Sequence, residues 1–167
     1  MLIREEKESD WLEVFIVNQA AFATPAEAHL VNALHEQCRP IVSLVAEAEG
    51  KILAHIMFSS VQLSGHPSLS LMGLAPMAVL PEYQRKGIGS ALVKSGLEQC
   101  RALGVGAVVV LGHIAYYPRF GFVPYVRYGI SCEYEAHEEA FMVLELQSGY
   151  LAGKKGTIQY HDAFKNV

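Results

Sequence analysis

Cysteine is scarce in this 167-residue chain: three residues, Cys38, Cys100 and Cys132, lie far apart and in no metal-ligand pattern. An odd, scattered set excludes a disulfide framework and a zinc cluster, and reads as reduced structural thiols. Cations are also thin. Thirteen Lys and Arg stand against 17 Asp and Glu, for a net charge of −4, and no basic run exceeds Arg85-Lys86 or Lys154-Lys155. Duplex nucleic acid needs a denser positive face, so it is excluded as a partner. No apolar run reaches membrane-spanning length, and the opening MLIREEKESDW is charged too early for a secretion signal. The expectation is a cytoplasmic protein with no membrane partner. Internal repeats, low-complexity segments and obvious linkers are missing as well.

What is present is apolar. Hydrophobic residues make up 51% and charged ones 18%, enough for one domain with a real core. LIRE reads as a first strand. Asp10 with Glu13 three residues on marks a helix start, with Trp11, Val14, Phe15, Asn18 and Phe22 on one face. Thr24-Pro25-Ala26-Glu27 is a second start, followed by a buried side of Leu30, Val31, Leu34 and Cys38. IVSLVAEA and KILAHIMFSSVQL form strands joined at Glu49-Gly50, and SLSLMGLAPMAVL returns after Gly65-His66-Pro67. Helical spacing runs from Gly87 to Leu103. AVVVLG is a strand buried on both faces, IAYYPRF a helical turn, GFVPY and EEAFMVLEL strands, and GTIQYHDAF a short last one. The order β-α-α-β-β-β-α-β-α-β-β makes an α/β chain with a mixed sheet.

The segment PMAVLPEYQRKGIGSALV sets two cations and two glycines at the mouth of a helix. Helix N-termini offer unpaired N–H groups and partial positive charge, which suits phosphate. A Walker A loop fails because Lys86 precedes its glycine, and a dinucleotide fingerprint fails because Leu92 holds the third glycine position. What remains is Gln84-x-x-Gly87-x-Gly89 directly after a strand. A helix start with convenient glycines is the plain alternative.

With its flanking strand LAPMAVLPEYQ, this pattern resembles the acetyl-CoA-binding segment of the GNAT superfamily of N-acetyltransferases. VLGHIAYYPRFGFVPY resembles the second family signature, with Tyr117 to Phe122 matching Tyr-x-x-x-Gly-Phe. The Tyr116-Tyr117 pair, AHIMFSSV, and AF before a Glu-bearing helix look like a small, single-domain bacterial branch. His113 departs from the acidic or amide residue common there. The resemblance covers residues 1–147, leaving 148–167 as a carboxyl-terminal extension packed on that domain. It implies the acyl-CoA N-acyltransferase fold, a mixed twisted sheet splayed at a bulged central strand. Pro76, which cannot donate to a ladder, marks the bulge.

The resemblance implies acetyl-CoA as co-substrate, with no metal. Met77, Ala78 and Val79 would pair with the pantetheine arm, the Met77 N–H serving the acetyl carbonyl as oxyanion donor. Gln84, Arg85, Lys86, Gly87, Ile88, Gly89 and Ser90 would cradle the pyrophosphate. Tyr117 takes the family's acid position; Tyr116 packs or touches the cofactor, or is itself the acid. No base stands out. Glu27 borders the acceptor groove by resemblance, or is only a capping carboxylate for Thr24. His55 is a base or a hydrogen-bonded interior histidine, and His113 is a third candidate. Glu133, Glu135, Glu138 and Glu139 form a solvated loop or a lure for a cationic amine. The expected function is acetyl transfer to a primary amine, small molecule or peptide, by direct attack in a ternary complex. No cysteine nucleophile is involved. The alternative is a GNAT-shaped acyl-CoA sensor without turnover, and a homodimer stays open.

Overall fold

The structure is a computed structural model and describes residues 1–134 and 140–167. Its elements, in chain order, are β1 (Leu2–Glu5), α1 (Trp11–Ala21), α2 (Ala26–Gln37), β2 (Ile41–Ala48), β3 (Lys51–Leu63) and β4 (His66–Val79). Then follow α3 (Ile88–Ala102), β5 (Ala107–Leu111), β6 (Val123–Pro124), β7 (Gly129–Cys132), β8 (Phe141–Glu145) and β9 (Lys155–Gln159). The strands hydrogen-bond in the order β1-β2-β3-β4-β5-β8-β6, with β9 joining β3 to β7. The sheet is mixed. β4–β5 and β7–β9 are parallel, while β1–β2, β2–β3, β3–β9, β5–β8 and β6–β8 are antiparallel. Two compact units emerge: Met1–Ser59 with Ala75–Gln99 and Asp162–Val167, and Ser60–Leu74 with Cys100–His161.

In the first unit, Val14 and Val17 of α1 meet Leu30, Val31 and Leu34 of α2, all at most 3% exposed. With Val45, Ile52, Met57, Ala78 and Leu80 they form one core; each valine, leucine, isoleucine or methionine in it contributes about 1.5–3 kcal/mol on burial. Ala163 and Phe164, in a 3₁₀ turn over Asp162–Asn166, pack against the same core. Glu49 and Gly50 at φ 52 and 76 make the two-residue hairpin between β2 and β3 that their spacing predicts. α3 approaches β3 closely because position 96 is glycine: a Cβ there would lie 2.2 Å from the Phe58 ring.

Helices α1 and α2 both start where the sequence places them, but neither is closed by the glutamate three residues on. The Asp10 carboxylate pairs with Arg4 at 2.7 Å and accepts from the Lys7 N–H at 2.7 Å, capping the 3₁₀ turn Glu8–Asp10 that leads into α1. Glu13 instead accepts from the Ile52 N–H at 2.7 Å, because a strand-end donor held by tertiary packing competes better than a frayed first turn. Thr24 Oγ1 accepts from the Ala26 N–H at 3.3 Å, but Glu27 does not bond back.

In the second unit, β4 and β5 run in register from Leu71↔Ala107 to Leu74↔Val110. Val108, Val109 and Val110 are at most 1% exposed, as a strand covered on both faces requires. Past Leu74, β4 continues to Val79 with no β5 partner, and Pro76 in that stretch has no N–H to give. β7 has no counterpart in the sequence reading. Four residues, GISC, carry too little alternation to register alone, and pairing with β9 supplies the order.

Candidate active site

The turn after β4 is built mainly by the backbone. Leu80 N–H donates to Leu53 O at 2.9 Å, tying the turn to β3. A 3₁₀ turn over Pro81–Tyr83 follows, and the Gln84 side-chain amide donates back to Val79 O at 3.0 Å. Gln84 thus closes the turn rather than pointing its amide outward. Arg85 and Gly87 then take φ of 63° and 84°, the left-handed region that costs an arginine free energy and glycine very little. No atom lies within 4 Å of a Cβ built on Gly87, so glycine serves conformation there, not space. Left-handed residues two apart turn successive N–H groups into a concave nest, a recurrent anion site. The first α3 bond runs from Ala91 N–H to Gly87 O at 3.1 Å, and the N–H groups of Arg85, Lys86, Gly87, Ile88 and Gly89 have no acceptor among the described residues. Ile88 puts its side chain in the core and offers only its N–H, and Ala78 is likewise buried. Met77, Val79, Gly89 and Ser90 are half-buried, and Arg85, Lys86 and Gly87 are exposed.

The tyrosine pair sits in the second unit, on a turn started by His113, whose carbonyl accepts from the N–H groups of Tyr116 and Tyr117 at 3.0 and 3.3 Å. The His113 side chain itself is exposed. Tyr117 is 7% exposed, edge-on to Tyr116 at 5.1 Å and Phe122 at 5.7 Å. Burial, with a smaller contribution from Tyr116, pushes its phenol up to about 12. Its hydroxyl has no hydrogen-bond partner among the described residues. Gly112 makes the room: a Cβ there would meet the Tyr117 ring at 2.3 Å. That glycine stands in the quoted signature, but its purpose is visible only in the packing. Tyr116 carries Arg119 over its ring at 4.5 Å.

His55 is fully enclosed, at 0% exposure. Ser43 Oγ–H and His35 Nε2–H, the latter at 2.7 Å, both donate to Glu6 Oε1. Since the only Ser43 proton goes to the carboxylate, its oxygen accepts from His55 Nε2–H at 2.8 Å. His55 Nδ1 then accepts from Asn18 Nδ2 at 3.1 Å, and Asn18 donates also to Val14 O at 3.0 Å. Both ring nitrogens of His55 are spent. Burial presses the Glu6 pKa upward, but the hydrogen bonds from His35 and Ser43, with the His55 imidazole 3.7 Å away, outweigh it and hold the carboxyl down at about 2. Nothing in LIREE separates Glu6 from a surface charge, and only the tertiary contacts reveal it.

Glu27, at the start of α2, is half-buried and its carboxylate has no partner among the described residues. Glu133 accepts from the Tyr160 N–H at 2.7 Å; Glu135, Glu138 and Glu139 lie outside the described residues. Cys100 is buried with its thiol pushed up to about 12, the opposite of an activated nucleophile.

Residues 5–122 match the Acetyltransferase (GNAT) family. The chain is 36% identical over 98% of both lengths to an uncharacterized N-acetyltransferase, YhbS, of Escherichia coli K12. It is 44% identical over 119 residues to a second one from the same strain, YjhQ, covering 70% of this chain and 66% of that protein. The crystal structure of YhbS from E. coli in complex with CoA superposes with a TM-score of 0.92 at 34% identity, covering 98% of this chain and 91% of that one. A GNAT family acetyltransferase from Brucella melitensis in complex with acetyl-CoA gives a TM-score of 0.81 at 34% identity, covering 98% and 97%. This protein belongs to the GNAT acetyltransferase family, and its fold is the GNAT fold.

Proposed function

We propose that the protein is an acetyl-CoA-dependent N-acetyltransferase that acetylates a primary amine, small molecule or peptide, by direct attack in a ternary complex. The observation that carries this reading is the Gln84–Ser90 turn, where five consecutive N–H groups from Arg85 to Gly89 lack acceptors and two residues adopt positive φ. Such a nest at the start of a helix fits a diphosphate, the anionic linker of coenzyme A. The two CoA-bound relatives support the choice.

Acetyl-CoA supplies the activated acetyl thioester. Residues Arg85 to Ser90 bind its diphosphate, and Arg85 and Lys86 add charge at the rim. The β4 segment Met77–Val79, past its last β5 partner, offers backbone groups to the amides of the pantetheine arm. The Met77 N–H steadies charge on the acetyl oxygen. Tyr117, fully protonated at neutral pH, donates its proton to the departing sulfur.

A lysine-like amine costs roughly 4–5 kcal/mol to deprotonate at pH 7. Glu27, with an unengaged carboxylate, takes that proton in our reading. His55, sealed and with both nitrogens engaged, holds α1 to β3 instead.

The test is a screen of primary amines at fixed acetyl-CoA, followed by free-thiol release. Thiol release with at least one amine, lost in Tyr117→Phe, is the expected result. Acetyl-CoA binding with no release from any amine would make the protein an acyl-CoA sensor and overturn the enzymatic reading.

A further inference from the structure

Two cations, one from the nest and one from β3, converge on one aromatic ring. Lys51, the first residue of β3, places Nζ 5.8 Å from the centroid of Tyr83, and Lys86 places its own at 5.6 Å. Both distances lie within the range of cation–π attraction. The two lysines come from different elements and are brought together by the hydrogen bond from Leu80 N–H to Leu53 O, two residues along β3 from Lys51. Neither is within ion-pair distance of a carboxylate among the described residues. Tyr83 is half-buried and packs against the core of the first unit, so the ring is a fixed platform and not a loose side chain. Two like charges gathered beside one ring repel each other, and an anion between them removes that cost.

We propose that Lys51, Lys86 and Tyr83 form a second anion site, specific for a phosphate monoester: the 3′-phosphate of the coenzyme A nucleotide. The inference rests on the cofactor reading above and adds to it. Coenzyme A carries three phosphates. The backbone nest accounts for the two of the diphosphate, while the third is a separate monoester dianion on the ribose. Backbone N–H groups serve a diphosphate because its charge is spread along a linker. An isolated dianion suits ammonium groups, each a compact point charge with rotatable donors, and the two lysines at the Tyr83 ring supply them. Lys86, next to the left-handed Arg85, links the two sites. Lys51 and Tyr83 lie outside the Gln84–Ser90 motif, and their part follows only from the tertiary contact.

The experiment is a binding titration of acetyl-CoA against acetyl-3′-dephospho-CoA, on the wild-type protein and on Lys51→Met. The wild type should bind acetyl-CoA about three- to tenfold more tightly than the dephospho form, a gap that shrinks as salt screens the lysines. Lys51→Met should lose most of that preference by weakening acetyl-CoA alone, with dephospho-CoA affinity unchanged. Lys51→Arg, which keeps the charge, should restore it. Equal binding of both ligands by the wild type would overturn the proposal while leaving the cofactor reading standing. A Lys51→Met variant that weakens both ligands alike would do the same, showing a general field and not a phosphate contact. If neither ligand binds, the cofactor reading falls and this inference falls with it.

Discussion

Two buried titratable side chains, one in each unit, have been driven in opposite directions. Glu6 is enclosed and held at about 2; Tyr117 is enclosed and held at about 12. Burial opposes charge at both. What differs is company: Glu6 receives hydrogen bonds from His35 and Ser43, with His55 3.7 Å away, whereas Tyr117 packs against the rings of Tyr116, Phe120 and Phe122, its hydroxyl without a hydrogen-bond partner among the described residues. A group whose charged form is held by hydrogen bonds from neighbouring elements ties the fold together. One whose proton is retained and whose hydroxyl is unengaged has a proton to give. Depth of burial alone separates neither case.

The sharpest break of that comparison is Tyr117→Phe. Turnover should fall by about 10²–10⁴, while the melting shift induced by acetyl-CoA, roughly 2.7 kcal/mol at 100 times its dissociation constant, stays in place. Wild-type turnover in Tyr117→Phe together with collapse in Tyr116→Phe would hand the acid role to the neighbour. Next comes acid stability. As pH drops from about 4.5 toward about 2, the unfolded chain takes up a proton that folded Glu6 refuses, and about 3 kcal/mol of stability is lost. Denaturant melts across that window should show the loss in wild type and a flatter profile in Glu6→Gln, itself less stable at neutral pH. Equal slopes would mean that Glu6 is only one carboxylate among many.

At the alkaline end the sign reverses. Above pH 10 an unfolded Tyr117 loses its proton while the folded one keeps it to about 12. That contribution is therefore complete below pH 10 and fades, by up to about 2.7 kcal/mol, as pH rises through 12. Comparing wild type with Tyr117→Phe isolates it from other phenols. The smallest effect belongs to Gly87→Ala. An alanine at φ 84° should cost about 1 kcal/mol of stability, with acetyl-CoA affinity lowered through the distorted nest. Unchanged affinity in a stably folded Gly87→Ala would move the diphosphate away from this turn.

The sequence was a good guide wherever period or turn chemistry was local. The helical stripe Val14–Leu34, the Glu49-Gly50 hairpin and the buried AVVVL strand all needed only neighbours in the chain. The Gln84–Gly89 spacing carried the family, and its Gly87 takes one of the two left-handed positions of the turn. What escaped was tertiary. Glu13 and Asp10 looked like one cap, but each found a better partner through folding. Glu6 looked like a surface charge until two histidines and a serine from three other elements closed on it. Gly112 and Gly96 could be read as glycines, yet the rings they admit, Tyr117 and Phe58, come from elsewhere in the chain. Lys51 carried no signal at all, since its meaning is a ring more than thirty residues away.

The first unit is threaded from three stretches of sequence, the last of them Asp162–Val167, with the whole second unit intervening. A ribosome delivers α1 and α2 early, but Ala163 and Phe164, which complete the apolar floor beneath them, arrive only after residues 100–161 have been made. Nascent chains tend to fold from the amino terminus as units become complete. Here the earliest-made helices gain part of their packing only from a segment synthesised after the second unit. Proteolytic or genetic division of this chain into two pieces has no clean place to fall: any single cut leaves one unit without part of itself.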